Sequence, residues 1–413
     1  MALRGAYGMT TRINAVPRAV PAEEVQVPFA DCYITAAAQN AALRVLRSGW
    51  VTTGREVAAF EGEFAGYVGA DHAVAVSSCT HGIELALRSY GLPRGSLVLT
   101  STMTFCGAVQ AIVHAGLQPV LVDVDAITGM PTPATVRDSV RAFGQPAAMT
   151  VVHWAGDLAD VPALADAAGL TLDQVVVDAA HAIGTYEGST PIGSQCGATC
   201  FSFYATKNLP LGEGGMITTN NADRAGWLHQ ARLHGMTADA WRRYLPGGSW
   251  RYDVAEAGLK ANMTDIQAAM GRAQLTHLPR WQERRAQIAA RYDLQLSTLP
   301  AVALPHRPAP GTGTHAWHLY PIRLAAGIER DEVIAELAAR GVGTSVHFIP
   351  VHQLTYFGQV ASIPPSGMNG ADALFDQLLS LPIHPRLTDG QIDAVCAALA
   401  DATNRRFSRK GAE

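Results

Sequence analysis

The chain has 413 residues, which at about 150 residues per domain is enough for two or three domains. Its formal net charge is −4 and only 16% of its residues are charged, so the composition argues against a protein that binds nucleic acid or another polyanion. Hydrophobic residues make up 48% of the chain, which suits a large α/β core and excludes collagen-like, coiled-coil and low-complexity chains.

The N-terminal part of the chain carries no recognisable targeting segment. It has arginines but no continuous apolar run, and no uncharged apolar run anywhere reaches the ~18 residues of a membrane span. The six cysteines are scattered without a C-x-x-C pair, so a disulfide framework or a zinc site is not expected. These features predict a cytoplasmic protein without membrane contact, preceded by a mobile arm over residues 1–26.

From about residue 31 onwards, short β-rich segments alternate with helical ones. Several of the β-rich segments are continuous runs of Val, Ile and Leu, which is typical of parallel strands buried on both faces. The predicted strands span residues 73–76, 97–100, 119–122, 149–152, 175–177, 199–203 and 215–219. This alternation predicts an α/β fold with a mostly parallel sheet flanked by helices.

The character of the chain changes near residue 263. Thr264 and Gln267 form a capping-box pattern, which predicts a long helix that passes Pro279 and continues to about residue 296. Beyond it the sequence predicts a strand over 318–324 and helices over 330–340 and 389–403. We therefore expect a large domain over residues 27–265 and a smaller C-terminal α+β domain over residues 266–413.

Two charged residues stand beside predicted strands. Asp178 ends a buried strand and so lies at the carboxyl edge of the sheet, where open α/β sheets bind ligands, and Lys207 follows the next long strand. A lysine and a carboxylate in one pocket fit pyridoxal 5′-phosphate (PLP), which needs an amine for a Schiff base and an acid to keep its ring nitrogen protonated. On spacing alone, a loop-capping Asp178 and a solvated Lys207 are equally good interpretations.

A third segment, SSCTHGIELALRSYG at residues 77–91, adds weight to the PLP interpretation. It is a strand-to-helix turn rich in Ser and Thr, and the free amides at such a helix start, together with the Thr80 hydroxyl, suit a phosphate ester. An ordinary helix cap would look similar.

A series of segments then completes a pattern that is highly specific in its D-x-x-H, S-F-x-x-x-K and E-G-G portions. They are GWVTTGREVAAFE (49–61), SSCTHGIELAL (77–87), TFCGAVQAI (104–112), PVLVDVD (119–125), VVHWAGD (151–157), VVVDAAHAIG (175–184), FSFYATKNLPLGEGG (201–215), GLKANMTDIQAA (258–269) and HFIPVH (347–352). Over roughly residues 27 to 400 the chain resembles the DegT/DnrJ/StrS sugar aminotransferases, which are PLP enzymes of fold-type I.

This resemblance implies roles for individual residues. Lys207 would form the Schiff base and act as general acid and base, and Asp178 would pair with the pyridinium nitrogen. His181 would lie near the phenolic oxygen of the cofactor, and Phe105 would stack on its ring. The phosphate would be held by Cys79, Thr80, His81 and Ser202, and by Asn262 of a second subunit, which implies a homodimer with shared active sites.

The acceptor substrate would lie over the open face of the cofactor. Candidate substrate-binding residues are His153, His347, His352, Trp250 and Arg251. Aromatic and basic side chains near a pocket suit a base and a diphosphate, although a dimer-interface loop would explain Trp250 and Arg251 equally well.

The resemblance also implies the reaction. Family members that dehydrate a sugar carry His in place of the lysine, whereas this chain has Lys207, so transamination is expected. The amino group would pass from an amino acid, usually glutamate in the family, to a nucleotide-linked keto sugar, in amino sugar, polysaccharide or antibiotic biosynthesis. The alternatives are another PLP reaction on the same fold, such as that of a lyase or a cyclitol aminotransferase, and a non-catalytic regulatory or scaffold role.

Overall fold

The computed structural model describes residues 26–237 and 251–410, with side chains as far as residue 404. The predicted arm over residues 1–26 therefore falls, apart from Gln26, outside the described residues. Among the helices of the described ranges, none is both long and apolar enough to cross a membrane.

A seven-stranded sheet in the order β1-β9-β8-β5-β4-β2-β3 forms the centre of the larger part of the molecule. Strands β3, β2, β4, β5 and β8 are parallel, and β9 is inserted antiparallel between β1 and β8. The strands of this sheet are β1 (His72–Val76), β2 (Leu97–Ser101), β3 (Gln118–Val122), β4 (Ala148–Val152), β5 (Val175–Asp178), β8 (Ala198–Ser202) and β9 (Gly215–Thr219). All seven predicted strands are confirmed, with ends that differ by at most one residue.

Helices cover both faces of this sheet and continue into the C-terminal part. The helices are α1 (Ala36–Ser48), α2 (Arg55–Val68), α3 (Cys79–Arg88), α4 (Cys106–His114), α5 (Pro133–Phe143), α6 (Val161–Ala168), α7 (Ala222–Ala231), α8 (Asp265–Leu275), α9 (Leu278–Leu296), α10 (Arg330–Ala339), α11 (Phe357–Val360), α12 (Asn369–Gln377) and α13 (Asp389–Lys410). The predicted α/β class is confirmed.

Two smaller sheets complete the structure. One has the order β10-β12-β13 and carries α9, α10 and α13 against it, and the other, β11-β6-β7, is a short hairpin joined by a third strand. Their strands are β6 (Tyr186–Glu187), β7 (Thr190–Pro191), β10 (Val302–Ala303), β11 (Gly313–Thr314), β12 (Tyr320–Leu324) and β13 (Leu378–Leu381). Val27 packs in the core of the C-terminal part and pairs with Val342, so the chain leaves that part before it enters the large sheet.

The single long helix expected after Thr264 is wrong. Thr264 and Gln267 do form the predicted capping box, but α8 ends at Leu275 and α9 begins at Leu278 with Pro279 in its first turn. Proline lacks an N–H and has a φ that suits the first turn of a helix, so Pro279 starts a new helix where a continuous one would lose a hydrogen bond. The domain boundary near residue 265 stays a prediction.

Candidate active site

A cavity of about 570 Å³ lies at the edge of the large sheet where its parallel strands end. Val152, Asp178 and Ser202 are the last residues of β4, β5 and β8, and all three line it. The remaining wall comes from residue 29, from the start of α3, from the segment between β2 and α4, from the turns after β5 and β8, and from the C-terminal part of the chain. The lining residues include Phe29, Ser78, Cys79, Thr80, Thr104, Phe105, Asp178, His181, Ser202, Lys207, His318, His347 and Phe348.

Asp178 is a buried carboxylate on the floor of this cavity, with 6% of its surface exposed. Its Oδ1 accepts a hydrogen bond from the backbone N–H of Ala180 at 3.0 Å and a weak one from the Cys79 thiol at 3.7 Å. Burial raises its pKa, although the N–H of Ala180, the charge of Lys207 and the Cys79 thiol act in the opposite direction. The carboxylate would therefore gain from a further cationic partner inside the cavity.

Lys207 enters the same cavity from the loop after β8. Burial lowers the pKa of its ammonium group to about 8, while the nearby Asp178 and Cys79 oppose that shift. A lysine with this pKa is neutral in about a tenth of the molecules at pH 7, far more often than a lysine with the ordinary pKa, and the neutral form is the one that acts as nucleophile or proton acceptor.

His181 follows Asp178 on the turn after β5 and is held as a neutral ring. Its Nδ1 accepts a hydrogen bond from the backbone N–H of Ala155 at 3.2 Å, and burial holds its pKa well below the usual range. A neutral ring that accepts at Nδ1 carries its proton on Nε2. His181 is thus a hydrogen-bond donor through Nε2, as the role expected for it near an oxygen of the cofactor requires.

The expected phosphate site lies at the start of α3. Ser78 caps this helix, since its Oγ accepts from the backbone N–H of His81 at 3.2 Å, and Cys79 and Thr80 line the cavity. Two glycines allow close packing here: a Cβ on Gly107 would lie 2.5 Å from the Thr80 Oγ1, and one on Gly215 would lie 2.7 Å from the Cys79 N. Because Gly107 and Gly215 have no side chains, no side chain from these two positions crowds the first amides of α3 or the Thr80 hydroxyl.

Aromatic side chains line the mouth of the cavity. Phe105 is 58% exposed, and its ring lies 5.7 Å from that of Phe348 between centroids. Phe348 in turn stacks on His181 at 5.7 Å, and Phe29 stacks on His347 at 5.2 Å. The exposed face of Phe105 is therefore available to a flat ring.

Some predicted site residues lie elsewhere. His81 bonds to Ser77 Oγ at 2.8 Å through Nδ1, and the ring of His153 is buried, where its Nδ1 accepts from Ala159 N–H at 3.0 Å. His352 is held between Thr102 and Asp372, at 2.9 Å from each.

The described residues that line the cavity do not include His81, His153, His352, Asn262 or Arg251, and Trp250 lies outside the described residues. The structure does bring together Lys207, Asp178, Cys79, Thr80, Phe105, His181, Ser202 and His347.

Sequence reasoning missed several residues of the cavity. His318 is the most consequential, because its Nε2 lies 3.4 Å from the Lys207 Nζ. The segment HAWHLYPI around it predicts only the start of a strand. The signal for His318 is a histidine at the start of a buried strand, and the signal for Phe348 is its position directly after His347.

Comparisons with known proteins agree with this fold and this cavity. The sequence profile of the DegT/DnrJ/EryC1/StrS aminotransferase family matches residues 33–400. The spore coat polysaccharide biosynthesis protein SpsC of Bacillus subtilis is 41% identical over 360 residues, which cover 86% of this chain and 92% of SpsC. The fold and the comparisons define the class, that of the sugar aminotransferases that use PLP.

Solved structures give the same result. Spr1654 from Streptococcus pneumoniae, solved in PLP and PMP forms, superposes with a TM-score of 0.84 in its PMP form at 29% identity, covering 92% of this chain and 99% of that one. DesV of S. venezuelae superposes with a TM-score of 0.81 at 32% identity, covering 91% of this chain and 98% of that one. The chain belongs to the DegT/DnrJ/EryC1/StrS aminotransferase family.

The residues of the cavity fit PLP. The buried Asp178 lacks a full counter-charge, which a protonated pyridine nitrogen would supply. The Thr104 hydroxyl is buried and has no hydrogen-bond partner among the described residues, so a polar ligand in the cavity would satisfy it. The start of α3 offers an anion site, and Phe105 offers a stacking surface.

Proposed function

We propose that the protein transfers an amino group from an amino acid, by family resemblance glutamate, to a keto sugar carried on a nucleotide. The observation that carries the proposal is Lys207 and Asp178 on one cavity, with a buried carboxylate and an amine whose pKa is about 8. The relative SpsC, named for polysaccharide biosynthesis, supports a sugar as the acceptor.

Lys207, Asp178 and His181 each have a separate role in the proposed reaction. PLP, when bound, supplies a protonated ring that makes the Cα proton of the donor amino acid removable. As a neutral amine, Lys207 would take that proton, and the same amine would deliver a proton to the sugar carbon that receives the amino group. Asp178 would hold the proton on the ring nitrogen, and the Nε2–H of His181 would donate to an oxygen of the cofactor.

In the proposed reaction, the keto sugar binds against the aromatic side chains at the opening of the cavity. Phe105, Phe348 and His347 form an apolar rim around the described part of the cavity, and burial lowers the pKa of His347 to about 4. A neutral His347 and flat rings suit the face of a sugar or of a nucleotide base.

We also propose a homodimer with shared active sites. Asn262 lies outside the cavity of its own chain, where its Nδ2 donates to the Thr53 Oγ1 at 2.7 Å and its Oδ1 accepts from the Lys260 ammonium. An amide and a lysine side by side near the surface suit a phosphate that approaches from a second copy.

The test of the reaction is a substrate screen with product identification. Nucleotide-linked 4-keto and 3-keto sugars are offered with glutamate, alongside free cyclitol ketones as the arm for the alternative reaction. We expect a new amine on a nucleotide-linked sugar and conversion of glutamate to 2-oxoglutarate. Amination of cyclitols alone, or release of ammonia without 2-oxoglutarate, would overturn the proposed substrate or the proposed reaction.

The test of the lysine is chemical trapping. Borohydride should fix PLP to Lys207, and peptide mapping should find the label there, because reduction makes a Schiff base permanent. Lys207→Ala should still bind PLP noncovalently and should lose turnover. A label on another lysine would refute the assignment.

A further inference from the structure

His318 lies on a short segment, residues 315–319, that reaches the cavity from the C-terminal part of the chain. Hydrogen bonds hold the backbone of this segment before and after His318. Trp317 has a φ of 50°, which is uncommon for a residue other than glycine and is kept only where the surroundings enforce it. Four hydrogen bonds hold the backbone of this segment to other parts of the described chain. These are Ala316 N–H to Gly156 O at 2.8 Å, Leu319 N–H to Ala155 O at 3.1 Å, Asn208 Nδ2 to Ala316 O at 2.9 Å and Arg285 Nη1 to Trp317 O at 2.9 Å.

The hydrogen bonds of Asn208 fix the tautomer of His318. Asn208 donates both amide hydrogens, to the Ala316 carbonyl at 2.9 Å and to the Gln282 Oε1 at 3.2 Å. Its Oδ1 is therefore an acceptor, and the His318 Nδ1, 3.2 Å away, is the donor. Burial holds the pKa of His318 well below the usual range, so the ring is neutral. A neutral ring with its proton on Nδ1 has a lone pair on Nε2, which is the atom 3.4 Å from the Lys207 Nζ.

Asn208 directly follows Lys207 in the chain. The lysine and the residue that accepts the hydrogen bond of His318 therefore lie on the same loop. Two residues far apart in sequence, Gln282 and His318, meet on this asparagine. These hydrogen bonds join the loop to the C-terminal segment and hold the acceptor nitrogen of His318 near the Lys207 amine.

We propose that His318 is a positioning residue for Lys207. When the lysine amine is not bound to PLP, the Nε2 of His318 accepts one of its N–H bonds and so restricts its rotation, which leaves the lone pair of the amine available to the cavity. No covalent bond forms and no proton is lost by His318 in this role. The inference rests on the proposed function, because it needs Lys207 as the proton acceptor.

Three variants separate this role from a purely structural one. His318→Phe keeps the ring volume and removes both nitrogens, whereas His318→Gln places an amide oxygen near the position of Nε2. His315→Phe is the control. His315 lies on the same segment, stacks on Trp317 at 3.9 Å and accepts a hydrogen bond from the Trp317 N–H, which the variant loses. Among the described residues, the contacts of His315 do not include Lys207.

The first measurement is the single-turnover rate of the glutamate half-reaction, together with KM. We expect His318→Phe to lower the rate constant ~100-fold with little change in KM, since a misplaced catalytic group costs about this much. His318→Gln should recover most of the loss, and His315→Phe should lose little. Equal losses in His318→Phe and His315→Phe would show that only the segment's position matters and would overturn the proposal.

The second measurement does not depend on turnover. It is the pH dependence of the rate at which the full-length protein, freed of PLP, forms the imine when PLP is added. The titratable groups that face Lys207 are Asp178, Cys79, His181, His318 and His347, and the charge of Arg285 acts on His318. In the unaltered protein the rate should rise with pH, pass its midpoint near the Lys207 pKa of about 8 and level off above it, because the neutral amine is the nucleophile.

In His318→Phe the pH at which this rate levels off should fall, since an acceptor stabilises an ammonium more than an amine and its loss favours the amine. An unchanged pH profile would contradict the hydrogen bond. If the unaltered protein forms no imine on Lys207, the proposed function fails. If it does and His318→Phe behaves like it in both measurements, only the positioning role fails.

Discussion

Burial sets the protonation states of the side chains that meet in the cavity. It raises the pKa of the Asp178 carboxyl and lowers that of the Lys207 ammonium to about 8. The same effect keeps His181 and His318 neutral, and their backbone or amide partners decide which nitrogen carries the proton. The two histidines therefore differ in kind: His181 is a donor through Nε2 and His318 an acceptor.

Replacing Asp178 by Asn tests the expected ion pair with the ring nitrogen. The Asn retains an oxygen that can accept from the Ala180 N–H, so the fold should persist while the negative charge is lost. We expect the rate to fall at least ~100-fold, which corresponds to about 2.7 kcal/mol of barrier. The measurement is kcat/KM of the PLP-loaded protein.

Asp138→Asn is the matched control for this change. Asp138 lies on α5, bonds to Arg141 and Ser366, and does not line the cavity, so its replacement should leave the rate unchanged. Near-normal activity in a PLP-loaded Asp178→Asn protein would contradict the role assigned to Asp178.

Sequence reasoning was strong for residues on the large sheet and weak for those that arrive from elsewhere. Asp178 and Lys207 follow buried strands, so the rule that parallel strands end at one edge brings them together. His318 comes to Lys207 through a segment with an unusual backbone angle and through Asn208, and no periodic pattern encodes that contact. The contact of His352 with Thr102, 250 residues away in sequence, is not encoded by a periodic pattern either.

At the scale of elements, a glycine allows two helices to pack closely in the large core. Gly271 lies on α8 where that helix crosses α2, and a Cβ there would lie 2.6 Å from the ring of Phe60, which is fully buried. The same sequence reasoning that found the capping box at Thr264 could not see this contact, because it depends on how two helices cross. Capping and proline signals are local, whereas crossing geometry is not.

Gly271→Ala should therefore destabilise the protein by about 1–3 kcal/mol, since the Phe60 ring must move within a close-packed core. Helix propensity alone would predict a gain of about 1 kcal/mol. Chemical denaturation gives the free energy of unfolding. Gly66→Ala on α2 is the control, because a Cβ there meets nothing within 4 Å and should give at most the propensity gain. Equal shifts in both variants would refute the packing argument.

At the scale of the whole molecule, the proposed dimer predicts complementation between inactive subunits. Lys207→Ala removes the amine of the site. Asn262→Asp places a negative charge near the expected phosphate and repels it, so each variant alone should be inactive. If Asn262 serves the cavity of the other chain, a heterodimer holds one site with both lesions and one with neither. Activity should return toward about half per heterodimer after the subunits are dissociated and reassociated.

The matched control mixes Lys207→Ala with Asp178→Asn. Both residues line the cavity of the same chain, so each site of that heterodimer carries one lesion and activity should not return. Recovery in neither mixture, with heterodimers shown to form, would place Asn262 in the local structure of its own chain.

The antiparallel insertion of β9 also sets an order of events during synthesis. Within the described part of the chain, β1 lies at the edge of the large sheet and β9 is its one neighbouring strand in that sheet. β1 ends at Val76 and β9 at Thr219, so roughly 140 residues must leave the ribosome before β1 can pair. At about 5–20 residues per second this wait lasts roughly 7–30 s. A nascent chain paused before Gly215 would keep β1 without its partner strand and open to capture by a chaperone.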